Sequence, residues 1–102
     1  MVEASPDRRL EAVVHGRVHG VGFRVYVLGA ARALGLLGWV ANEPGGRVRV
    51  VAEGAADHLH ELVQALRAGP PAALVERVDE DWSDATHALR SFEIRSGWHG
   101  GD

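Results

Sequence analysis

Apolar and polar positions follow two different periods along this chain, and the changes of period mark out its elements. Leu10, Ala12 and Val14 alternate with Glu11, Val13 and His15, a period of two that predicts a strand with one face more apolar than the other. From Phe23 the period lengthens: Phe23, Val27, Ala30 and Leu34 fall at helical spacing, which predicts a helix over 23–34 stopped by Gly35. The apolar run LLGWVA (36–41) predicts a second strand, and NEPGG (42–46) supplies turn chemistry. Arg47, Arg49 and Val51 then alternate with Val48, Val50 and Ala52, a third strand joined to the second as a hairpin. Gly54 opens the next segment. Leu59, Leu62, Val63 and Leu66 stand at i, i+3, i+4 and i+7, an amphipathic helix that AGPP (68–71) ends. ALVERVDEDW (73–82) reads as a fourth strand, SDATHALR (83–90) as loop and SFEIR (91–95) as a short last strand. Residues 1–8 and 97–102 read as flexible tails around a single domain at 9–96.

The order is β-α-β-β-α-β with one short strand added. That is the α+β, ferredoxin-like sandwich: a mostly antiparallel sheet with both helices on one face. A topology of this kind makes the first two strands parallel, so their C-terminal ends share one rim. The segment after the first strand and Asn42 after the second then lie across an intervening strand, roughly 10 Å apart at about 4.8 Å per strand spacing.

The segment on that rim is HGRVHGVGFR (15–24), with Gly16, Gly20 and Gly22 packed between a strand and a helix. Glycine costs chain entropy in such a place, so a bulge, a tight turn or a close ligand has to require it. Two familiar phosphate loops do not match: G-x-G-x-x-G would need glycine where Val25 stands, and the Walker pattern needs a lysine. The physics still favours an anion. Successive main-chain amides of such a loop can converge as a nest, and the helix that follows adds its free N–H groups and dipole. Arg24 adds a guanidinium fork at the same spot. The alternative is a strand-to-helix turn that merely needs glycine, and Asn42 alone is equally compatible with a turn-former before Pro44.

Composition narrows the classes. There is no cysteine, which excludes disulfides and thiolate metal sites. No 18-residue apolar run or signal-like segment occurs, so a cytoplasmic protein with no membrane partner is expected. The net charge of −3 suggests no nucleic-acid surface, and the third strand lacks the aromatic side chains that stack on RNA bases. Nothing demands more than a monomer. All eleven basic residues are arginine, a bias spread along the chain that locates no site.

Three segments carry a resemblance to a known family. GRVHGVGFR (16–24), LGLLGWVANEPGGRVRVVAEG (34–54) and SFEIR (91–95) are similar, in matching order, to the acylphosphatases. The first differs from that family's glycine loop at His19, where glutamine is common. The resemblance implies the same fold and the hydrolysis of a carboxyl–phosphate bond with no metal or cofactor. It implies that Arg24 binds phosphate, that the amides of His19, Gly20, Val21, Gly22, Phe23 and Arg24 cradle it, and that Asn42 orients the attacking water. Ala41 stands where arginine or lysine is frequent in the family. The reading from another class is a non-catalytic ferredoxin-like module that binds a small anion.

Other residues are given blander roles. His15, His58, His60, His87 and His99 show no metal-ligand spacing. Glu76, Asp79, Glu80, Asp81 and Asp84 read as a solvated strand edge that resists sheet-to-sheet association. Trp39 and Trp82 are expected in the core.

Overall fold

A computed structural model describes residues 6–96. The elements run β1 (Asp7–Arg17), α1 (Phe23–Ala33), β2 (Leu37–Asn42), β3 (Val48–Ala55), α2 (Ala56–Ala68), β4 (Leu74–Asp84) and β5 (Phe92–Arg95). One five-stranded sheet has the order β4-β1-β3-β2-β5. β3 pairs antiparallel with both β1 and β2, β4 pairs antiparallel with β1, and β5 pairs parallel with β2. The ferredoxin-like α+β sandwich is therefore present, with β5 as an added edge strand.

The period of two explains the core. Leu10, Ala12 and Val14 of β1 and Val48, Val50 and Ala52 of β3 are fully buried, as is Val40 of β2. They meet Phe23, Val27 and Ala31 of α1 and Leu59, Leu62, Val63 and Leu66 of α2 in one cluster. α1 packs over β2 and β5, and α2 over β1, β3 and β4. The Tyr26 hydroxyl donates to the Ala65 carbonyl at 2.8 Å, which ties the two helices together.

The strands run longer than their apolar pattern. β1 begins at Asp7, inside the stretch expected to be tail, because Asp7 and Arg8 pair with Ala55 and Gly54. Gly54 thus lies in β3 rather than opening the following helix. β4 continues to Asp84, where Arg8 reaches its carboxylate at 2.9 Å. β2 ends on Asn42 itself, so that residue belongs to the sheet and not to the turn. The tail expected over 97–102, with His99 and Trp98, lies outside the described residues.

Two further expectations change. Trp39 does not join the core cluster: it alternates with buried Val40, is only partly buried, and its ring lies 4.9 Å from the Arg95 guanidinium. Trp82 does pack against the core, partly buried, with its Nε1–H donating to Glu80 at 3.0 Å. The acidic run lies on the edge strand β4, where Asp79 pairs with His15 and Arg77, and Glu80 with Arg67. His15 is thereby a strand residue facing β4.

The chain must travel from one sheet edge to the other between β4 and β5, and a single carboxylate fastens that crossing. Glu53 of β3 is 4% exposed. It accepts hydrogen bonds from Arg9 at 2.8 Å, from the Thr86 hydroxyl at 2.8 Å and from the Thr86 and His87 amides at 3.0 Å. Burial works against its charge, but those donors outweigh burial and lower its pKa from 4.5 to about 2. The folded carboxyl thus titrates below the unfolded one. Its stabilisation is complete above about pH 4.5, is lost as pH falls from there toward 2, and amounts to about 3 kcal/mol in full. Urea unfolding at pH 7 and pH 3 checks this. The drop in stability between the two should be much smaller in Glu53→Gln than in the unaltered protein; equal drops would contradict the clamp.

Candidate active site

The site is built where β1 hands over to α1. β1 ends in a register shift between His15 and Gly16 against β4. A side chain at Gly16 would start 2.1 Å from the Leu74 carbonyl oxygen, so the close approach of β4 excludes anything larger than glycine there. The chain then leaves the sheet. Gly20 and Gly22 hold φ of 70° and 76°, while His19 and Val21 are not among the residues with positive φ. Backbone of alternating φ sign turns successive N–H groups toward one side, which is the geometry of an anion nest. A Cβ at Gly20 or Gly22 would meet nothing within 4 Å, so the backbone conformation, not crowding, demands glycine.

The loop opens directly into α1. Gly22 is the N-cap in left-handed conformation, no side chain caps the helix, and no acidic residue stands in its first turn. The first bond of the helix runs from the Tyr26 amide to the Gly22 carbonyl at 3.0 Å. Among the described residues, no backbone carbonyl accepts a hydrogen bond from the amides of residues 19–23. A helix start with no side-chain cap and a positive dipole end is a place for negative charge.

Asn42 arrives from the other side of β3. It shares a face with the fully buried Val40 and is itself 5% exposed. It lines one cleft of about 170 Å³ together with Val18, Gly20, Gly22, Phe23, Arg24, Val25 and Ile94. The structure thus brings Arg24, Asn42, Gly20, Gly22 and Phe23 together around one cleft. His19 and Val21 are not part of the cleft lining. Val18, Val25 and Ile94 give the cleft an apolar wall that the sequence reading did not single out. Val25 is 65% exposed on the first turn of α1, a signal that could have been read from an apolar residue breaking the helical stripe. Among the described residues no three His, Asp or Glu side chains converge to hold a metal ion, and no helix is long and apolar enough to cross a membrane.

The α+β sandwich thus carries a glycine-built loop, an arginine and an asparagine on one rim. Residues 10–94 match the model of the acylphosphatase family. The acylphosphatase of Salinibacter ruber is 47% identical over 92% of this chain and 99% of its own length. That of Deinococcus radiodurans is 49% identical over 84% of this chain and 98% of its own. The crystal structure of acylphosphatase from Bacillus subtilis superposes with a TM-score of 0.84 at 35% identity, over 86% of this chain and 98% of that one. The chain belongs to the acylphosphatase family, and it is accordingly a hydrolase.

The left-handed N-cap makes a direct forecast. Gly22→Ala should lower stability by about 1 kcal/mol, because a Cβ is strained at that φ even with room around it. Gly29→Ala, inside α1 with ordinary φ and open space, should instead raise stability by about 1 kcal/mol. Urea midpoints of the two variants compare them; effects of the same sign would contradict the loop geometry.

Proposed function

We propose that this protein hydrolyses the carboxyl–phosphate bond of small acyl phosphates, with the phosphoryl group held by Arg24 and the amides of residues 19–24 and the attacking water held by Asn42. The observation that carries the reading is the cleft itself: Arg24, the helix start and Asn42 line one space, reached from two strands that flank β3.

The chemistry asks for what this site offers. Water oxygen bonds to phosphorus as the bond from phosphorus to the carboxyl oxygen breaks. The dianionic acyl phosphate and water yield a carboxylate and monoanionic phosphate. A carboxylate is the base of an acid with pKa of about 4, so it leaves without help from an acid. What remains is to bind the phosphoryl oxygens, spread their charge and place a water in line. Fixed main-chain N–H groups and the helix start meet the oxygens without reorganising, and the Arg24 guanidinium adds a full positive charge. The Asn42 amide has both donors and an acceptor with which to hold a water. The water's protons finish on the phosphate product, so no protein base is required. The reading needs no metal, and it sets the enzyme in the cytoplasm as a monomer.

Benzoyl phosphate and acetyl phosphate, offered with a chelator present, test this. The unaltered protein should turn both over, with inorganic phosphate as a competitive inhibitor. Arg24→Ala should lose both turnover and phosphate inhibition. Asn42→Ala should keep phosphate inhibition while kcat falls about 10²–10³-fold, the usual cost of one positioned polar group at such a site. No hydrolysis, hydrolysis only with added metal, or full activity in either variant would overturn the reading.

A further inference from the structure

The two halves of the site come from distant stretches of chain, and one side chain bridges them. His19 begins the loop, and its imidazole Nε2 lies 2.6 Å from the main-chain carbonyl oxygen of Arg47. The same carbonyl accepts the Glu43 amide at 2.8 Å, the bond that closes the turn immediately after Asn42. A carbonyl oxygen has two lone pairs and no hydrogen, so both partners donate to it. The His19 ring therefore carries its proton on Nε2.

Neither segment is fixed by the sheet at this point. Residues 18–22 have left the β1 ladder, and residues 43–47, with Pro44, Gly45 and Gly46, form the turn between β2 and β3. On the turn's own side Glu43 pairs with Arg49 and, at 3.8 Å, with Arg47. The His19 bond joins this stiffened turn to the loop.

We propose that His19 is a positioning residue: its Nε2–H fastens the glycine loop to the turn that follows Asn42, and so sets the distance from the phosphoryl cradle to the water-orienting amide. This rests on the reading of the cleft given above. The cradle itself is local to β1 and α1, so the bond bears on the alignment of water and phosphorus and not on the binding of phosphate. A glutamine at this position keeps an N–H that can reach the same carbonyl.

Steady-state kinetics of His19→Ala, His19→Gln, Asn42→Ala and the His19→Ala/Asn42→Ala pair test the proposal. His19→Ala should lower kcat roughly tenfold, since small misplacements of reacting groups cost that much or more. Its inhibition constant for inorganic phosphate should move by less than about twofold. His19→Gln should recover most of the lost rate. In the Asn42→Ala background, removing His19 should cost little more, because the two act as one unit. A parallel loss of phosphate inhibition, or effects of the two substitutions that multiply, would overturn it. Nitrogen NMR of the unaltered protein gives a readout independent of turnover. Nε2 of His19 should be protonated and show scalar coupling across the bond to the Arg47 carbonyl carbon. An unprotonated Nε2, or no coupling, overturns the proposal whatever the activity. Absence of hydrolysis by the unaltered protein would count against the catalytic reading, and the coupling would still decide the bond.

Discussion

β3 pairs antiparallel with β1 on one side and β2 on the other, and this constraint brings the site into being. Two strands that are each antiparallel to the same neighbour are parallel to each other. Their C-terminal ends therefore meet at one rim. The loop that follows β1 and the residue that ends β2 are brought to one rim by sheet hydrogen bonds. The apolar seam of β3, packed under α2 within the core, holds that pairing in register. A slip of one residue would turn Val48, Val50 and Ala52 out of the core.

Within this frame the proposed recognition rests mostly on the backbone. The alternating conformation at residues 19–22 and the uncapped start of α1 border one cleft, lined by Gly20, Gly22, Phe23 and Arg24. Main-chain donors belong to the fold and need no side chain to be held in one rotamer. Arg24 and Asn42 line the same cleft, and in the proposed reaction they add charge and direction. On the far side of the sheet Glu53 performs the opposite task. It uses a buried carboxylate, fully supplied with donors, to fix the long connection that delivers β5 beside β2. Ile94 of β5, paired beside β2, lines the cleft wall.

Much of this was legible in the sequence. Leu10, Ala12 and Val14 announce β1, and the spacing of Leu59, Leu62, Val63 and Leu66 announces α2. The parallel relation of β1 and β2, and hence the shared rim of the loop and Asn42, followed from element order alone. Strand ends were less visible, because Asp7, Arg8 and Asp84 extend the sheet through ladder bonds and one ion pair rather than through apolar burial. Trp39 was misplaced because a large aromatic suggests the core, whereas a strand has two faces and Val40 already occupies the inner one. Neither the Glu53 clamp nor the His19 bridge could be read in advance. Each joins residues about thirty positions apart, or more, by hydrogen bonds that leave no periodic trace in the chain.

The central claim is that main-chain amides at the β1–α1 junction receive the phosphoryl group. Amide ¹H–¹⁵N spectra recorded during a titration with inorganic phosphate examine it most directly. The account requires the largest downfield shifts at residues 19–24, with the Asn42 side-chain amide also responding. Shifts centred on the start of α2 or on the arginines of β3, with residues 19–24 unmoved, would contradict it.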